Sequence, residues 1–416
     1  MLRYLAVSLL TGGLVLSTLA APQTGTSSSG SSGSGSSGTS TIVPGAKPGG
    51  FAGRNPALRK KLLETEGGTE ESEKAVALGL KWLALHQAPT GNWSLDHFNL
   101  HARTDLKANR YFDDRSTGRA QTKNDTAGAA FGVLPFLAAG ITHKLGKDKE
   151  LNAYVPTVQR GLNYLMRVQK RDGDLGGGIY SHALATIALC EAYGMTFDPN
   201  LKRSAQLAIN YLVAAQDPVG GGWRYTPRSG SDTSVTGFVL MALKSGQLAG
   251  LNVPAVTYKG AAKWLDSCET KVKGGYGYTN NSETPSMTAV GLLCRMYLGA
   301  AHQDAGLQSG AKKLKRTPPG QYANLYYAYY ATQVMHHLGG DDWTFWNEGP
   351  KKNKDGMRDL LISRQGQDGS WDPKGDLYGT HGGRIMQTSW SLLTLQVYYR
   401  HLPLFKRQAA EKKEEK

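Results

Sequence analysis

The sequence predicts an all-α fold: a closed α/α barrel built from about six helix pairs. Three observations predict it. A unit made of an amphipathic helix, a Gly-rich turn and an apolar helix recurs at a period of roughly 45–50 residues, within the range of helical repeat architectures. The first helix of each unit carries one apolar face, whereas the second is apolar nearly all round. The glycines, 52 in all, cluster in the turns between the two, which marks fixed turn positions rather than disorder. If the apolar helices form an inner ring and the amphipathic ones an outer ring, every face is buried correctly. An open solenoid would need polar caps at both ends and no such alternation.

The clearest unit is Ser204–Leu243. Leu207, Tyr211 and Leu212 share one face of its first helix, which ends in Gln216, and the turn holds Trp223 and Tyr225. Ser231, Asp232 and Thr233 open the second helix, whose Val235–Leu243 stretch carries no charge and is too short to span a bilayer.

Taken in order, Met1–Ala20 reads as a signal peptide: Arg3 precedes the apolar run Leu5–Leu19, and small residues follow at Ala20 and Ala21. Residues 21–50 form a Ser/Gly/Thr-rich flexible linker with nothing to bury. The expected location is therefore outside the cytoplasm, periplasmic or secreted, with a membrane tether if the N-terminal segment is retained. A charged lead-in, 51–72, precedes the repeat domain at 73–404, and a charged tail follows at 405–416.

The first pair is Glu73–Gln87 and Asn124–Ala139, with Gly91 and Trp93 in its turn. A polar insertion, 94–123, separates the two and includes Asp113, Asp114 and Arg115; loops of that length are usually functional or disordered. The second pair joins Tyr154–Gln169 to His182–Tyr193 across Asp172–Gly178, and the third is the unit described above. The fourth joins Tyr258–Cys268 to Ser286–Leu298 across Gly274–Tyr278. The fifth is degenerate: Leu307–Leu314, a Pro318-Pro319-Gly320 turn, and Asn324–Leu338, which ends in His336-His337 before a Gly stop. The sixth joins Gly356–Gln365 to Met386–Tyr399 across Asp368–Trp371.

The net charge of +15 lies partly on the outer helices and partly in segments such as Lys351–Lys354. Such charge reads first as a solvated surface, with an envelope protein or an anionic polymer as the alternative partner; no nucleic-acid module is present, so nucleic acid is not expected. Three cysteines are too few for a disulfide framework, and Cys190 and Cys294 fall inside apolar helices as buried thiols.

Gln216…Gly220-Gly221-Gly222-Trp223 and Gln365…Asp368-Gly369-Ser370-Trp371 resemble the QW motif of squalene and oxidosqualene cyclases, and Gln87…Gly91-Asn92-Trp93 is a shorter version. Over about residues 73–403 the set is similar to the prenyltransferase/squalene oxidase repeat of the terpenoid cyclase and protein prenyltransferase superfamily. The resemblance implies an (α/α)6 toroid, a fold that serves several functions. Cyclases of this family protonate an alkene with a DxDD-type acid inside aromatic walls. Ser231–Val235 and Asn124–Ala127 resemble the end of that motif, but Ser231 and Asn124 stand where the proton-donating Asp would be. The zinc of the prenyltransferases needs Asp, Cys and His ligands. Asp266 and Cys268 have suitable spacing but lie on an outer helix, so neither metal nor cofactor is expected.

In such a toroid the N-termini of the inner helices rim a central mouth. Residue type there nominates Asp232, Asp125, His182, His381 and Arg384 as catalytic candidates. Tyr326, Tyr327, Tyr330, Trp223, Tyr225, Glu283 and Gln387 are the ligand-binding candidates, with Tyr326 and Tyr330 on one helix face. Asp125 and Asp232 also lie where helix caps lie and would serve there with no further role. The leading expectation is an exported protein that binds an apolar, isoprenoid-like small molecule or lipid; as an enzyme it would be of isomerase or lyase type. One alternative is a non-catalytic envelope scaffold. Another is a polysaccharide-active barrel, with a carboxylate pair from Asp125, Asp232 and Glu283, or a lyase set of His381, Arg384 and Tyr327.

Overall fold

The computed structural model describes residues 50–103, 118–350, 355–402 and 404–405. The leader, nearly all of the linker, the Asp113–Arg115 part of the insertion, Lys351–Lys354 and the tail beyond Phe405 lie outside the described residues. The described chain is all-helical, apart from isolated β-bridges across turns.

A lead-in helix, α1 (Pro56–Thr65), is followed by the pairs α2 (Glu70–Leu85) with α3 (Asp125–Ala138), α4 (Val155–Val168) with α5 (Gly178–Thr196), and α6 (Pro199–Ala214) with α7 (Thr233–Leu248). Next come α8 (Ala255–Cys268) with α9 (Pro285–Tyr297), and α10 (Ala305–Lys315) with α11 (Leu325–Leu338). After α12 (Gly340–Glu348), the last pair is α13 (Met357–Ser363) with α14 (Gly379–Leu395), and α15 (Val397–Arg400) ends the described helices. The inner helices α3, α5, α7, α9, α11 and α14 pack each on the next, and α14 returns to α3. In the outer layer α13 packs against α2, so the first and last pairs meet. This is the closed α/α toroid expected from the alternation. Its cause is visible in burial: α4 buries one stripe, including Val158, Leu162 and Leu165, whereas α5 is buried without interruption from Ser181 to Tyr193.

Four of the six turns repeat one set of bonds. The Gln216 amide donates to the Gly221 carbonyl of its own turn at 2.7 Å and to Thr257 O, on the next outer helix, at 2.9 Å. Gln87 does the same to Gly91 and Thr157, and Gln169 to Gly173 and Ser204. Gln365 donates to Gly369 O and, across the seam, to Ala75 O on α2 at 2.8 Å. The Trp93, Trp223 and Trp371 indoles donate to the last turns of their own outer helices, at Leu83, Leu212 and Leu361. One glycine per turn is obligatory. At Gly91, Gly173, Gly221, Gly274 and Gly369 φ lies between +85° and +99°, and a Cβ would strike a backbone carbonyl of the adjacent outer helix.

Two elements depart from the expected pattern. Gly339 stops α11 as anticipated, but α12 starts at once and buries Trp343 and Trp346 beside the degenerate fifth turn. The Trp346 indole donates to Thr332 Oγ1 at 2.9 Å, and that of Trp343 to Glu66 O at 2.7 Å. The sixth inner helix begins at Gly379, before the expected Met386, and Gly383 breaks its backbone regularity (φ +61°).

Candidate functional site

At the Gly-rich end the inner helices begin with capping side chains: Asn124 on α3, Asp232 on α7, Thr284 on α9 and Asn324 on α11. Each accepts a hydrogen bond from a first-turn amide, so each is where the sequence must place it to start a helix. Asp232 differs from the others in what its second oxygen does. Oδ1 accepts the Val235 amide at 2.8 Å, while Oδ2 is buried with no hydrogen bond. The residue is 0 % exposed. Burial pushes its pKa up to about 6, against the Val235 amide, the nearby Tyr278 hydroxyl and Arg224, all of which favour the anion. The nearest cation, Arg224 Nε, stands 3.9 Å from Oδ2 on a half-exposed side chain.

Tyr180, Tyr278 and Tyr326 lie within electrostatic reach of this carboxyl. Tyr180 packs on Phe238 with centroids 4.6 Å apart, and Phe238 meets Tyr326 at 6.1 Å and Tyr330 at 5.5 Å. Tyr326 also contacts Tyr330, Trp390 and Tyr378. The Tyr326 hydroxyl bonds Ser234 Oγ at 2.9 Å, whereas that of Tyr330 is buried without a partner. Burial raises the pKa of Tyr180, Tyr326 and Tyr330 well above the usual value, so all three stay neutral. These rings pack on one another among the inner helices α5, α7, α11 and α14. The rim is tyrosine-rich as well: Tyr225 is 52 % and Tyr378 39 % exposed, and the Tyr225 and Tyr278 hydroxyls lie 3.1 Å apart.

The other nominated residues are distributed as follows. Asp125 is the first residue of α3, half-buried, and 3.7 Å from Lys123. His182 is in the wall, not the mouth. Its Nδ1 accepts the Leu175 amide at 3.0 Å and its Nε2–H donates to Ala208 O at 3.0 Å, so both nitrogens are occupied in holding the turn and α6. His381 is exposed and edge-on to Tyr378. Arg384 ties the sixth turn together through Ser370 Oγ (3.0 Å) and Asp372 (2.9 Å), and its backbone amide donates to Gly118 O. Tyr327 turns outward and donates to Thr317 O at 2.7 Å. Trp223 is wholly buried in its turn, and Glu283 is exposed on Lys313 at 2.7 Å. Gln387 is buried, with its Oε1 unpartnered. Asp232, Tyr225, Tyr326 and Tyr330 therefore come together. Tyr180, which the sequence places among the polar residues at the mouth, completes the group with Phe238, Tyr278, Tyr378 and Trp390, which sequence did not nominate; the signal for Tyr278 was its place beside a Gly-rich turn. Among the described residues no group of three or more His, Cys, Asp or Glu side chains could hold a metal ion.

No family model matches the chain, and no curated protein sequence matches it. Solved structures do. One is an inactive variant of the α-1,6-mannanase of Salegentibacter sp. HEL1_6 in complex with α-1,6-mannotriose: 12 % identity, TM-score 0.52, covering 79 % of this chain and all of that one. Another is a variant of the type II terpene cyclase MstE from Scytonema in complex with geranylgeranyl dihydroxybenzoate: 14 % identity, TM-score 0.51, covering 83 % of this chain and all of that one. At such identities the likeness is one of fold, and it places the chain among the α/α toroids.

Proposed function

We propose that this is an exported toroid protein that binds an apolar, isoprenoid-like ligand carrying an oxygen function. The ligand lies across the tyrosine rim, and Asp232 is the hydrogen-bond and proton donor to its oxygen. The observation that carries this reading is the Asp232 carboxyl: buried beside the Tyr278 hydroxyl, with Arg224 no nearer than 3.9 Å, and with its pKa pushed up to about 6 by burial. Aromatic faces favour an apolar chain and any cationic character that protonation creates on it. The Tyr278 hydroxyl, beside Asp232 and 3.1 Å from that of exposed Tyr225, offers the buried acid a route for proton exchange with solvent. A carboxyl with a pKa near 6 suits an oxygen acceptor better than an unactivated alkene, which agrees with the missing DxDD acid. The Scytonema cyclase is named with a ligand that joins an isoprenoid to a polar head, the same pairing of chemistries.

The mannanase likeness gives a second reading, a glycan on the tyrosine platform. It is weaker because glycoside hydrolysis needs two carboxyls facing the bond. Glu283 is drawn to Lys313, and Asp376 is occupied by the Leu325 and Tyr378 amides.

The test is lipid extraction and native mass spectrometry of the full chain purified from its own cell envelope, for the wild type and Asp232→Asn. Asn still caps α7, so the fold is retained while the acid is lost. A co-purifying oxygenated isoprenoid, released from the wild type with a midpoint near pH 6 and insensitive to pH in the variant, supports the proposal. Recovery of a glycan would favour the second reading; an empty mouth with a captured envelope protein would favour a scaffold.

A further inference from the structure

The opposite end of the ring, at the C-termini of the inner helices, is closed by both ends of the described chain. The 3-10 turn Ala52–Arg54 and α15 pack together there, and two guanidinium groups reach the axis. Arg54 donates to Glu191 Oε2 at 2.8 Å and to Leu137 O at 3.4 Å. Arg400 donates to Glu191 Oε1 at 3.3 Å and to the Tyr329 hydroxyl at 2.8 Å. All three charged side chains are at most 2 % exposed. Among the described residues Glu191 is the one carboxylate paired with either arginine, so two buried cations share one anion. Nε of Arg54 and Nε of Arg400 have no hydrogen bond, and neither has Nε2 of His337 or of His401. These four side chains and Glu191 line one cavity of about 40 Å³, beside Tyr297 and Lys244. That space holds roughly two or three waters. Water would satisfy the N–H groups but not the charge, and an uncompensated buried guanidinium is costly.

We propose that this floor cavity binds a small monovalent anion, a halide or a short carboxylate, between Arg54 and Arg400. Together with Glu191 the anion balances the two guanidinium groups, and Lys244 stands as a further cation on the cavity wall. The anion joins the N-terminal turn, α5 and the C-terminal segment, and so seals the ring at the end remote from Asp232. His337 and His401 stay neutral, because burial lowers the pKa of the first to about 3 and that of the second well below the usual value, and they contribute N–H donors or acceptors rather than charge.

Thermal unfolding of the full chain is to be followed as sodium bromide replaces sodium gluconate at constant ionic strength. The expected result is a saturable rise of the midpoint. In Glu191→Gln the competing carboxylate is lost, and the bromide concentration at half-effect should fall about tenfold. If that variant does not fold, anomalous diffraction from wild-type crystals grown in bromide decides the matter, with a peak expected between Arg54 and Arg400. A midpoint that does not saturate, or a cavity without a bromide peak, overturns the proposal.

Discussion

Asp232 shows how a cap can be more than a cap. Its folded-state pKa of about 6 lies above the ordinary 3.8, so the folded chain holds this proton more tightly than the unfolded chain. The stabilisation this gives is complete below about pH 4 and is lost as pH rises through about 6. Asp232→Asn should therefore match the wild type near pH 4 and exceed its stability above pH 6 by about 3 kcal/mol, as read from urea unfolding across that range. An unchanged difference from pH 4 to 7 would mean that Oδ2 is solvated. At this scale the sequence was partly legible. Position and residue type nominated Asp232, but the same logic nominated His182, whose partners Leu175 and Ala208 come from the turn and from α6. Whether an imidazole is idle or engaged depends on a neighbour contributed by another helix, and no local pattern carries that.

The repeated turn is the element that the sequence expressed best, because its requirements are local. A Gln ends the outer helix (Glu269 in the fourth turn), a glycine takes positive φ under the next helix, and an aromatic ring closes the corner except in the second turn, where Leu175 stands. Two substitutions separate backbone conformation from close approach. Gly250 has φ +75° and no atom within 4 Å of a Cβ, whereas Gly221 has φ +85° and meets the Gly260 carbonyl. Gly250→Ala should cost about 1 kcal/mol and Gly221→Ala at least about 3 kcal/mol in chemical denaturation. Equal losses would show that the outer helix simply moves aside. Gln216→Ala removes the donor from two backbone carbonyls and should cost about 2–3 kcal/mol. The element that escaped the sequence reading was α12, since it follows a genuine Gly stop and its burial depends on tryptophans finding Glu66 and Thr332, one distant in the chain and one on the preceding helix.

For the whole molecule, closure is the decisive property. The alternation of helix types foretold it, yet the bonds that make the seam, Gln365 to α2 and α14 to α3, join residues hundreds of positions apart. A closed ring has no frayed terminal repeat, so melting should proceed as one cooperative transition. Gln365→Ala should lower that transition as a unit in calorimetry, and a separate early transition for the last helix pair would contradict closure.

Gly50 and Leu404 both line the floor cavity, so the two ends of the described chain leave the ring on the face away from Asp232. Anything joined directly at Gly50 or at Leu404 would therefore approach the ring from the floor and leave the tyrosine rim uncovered.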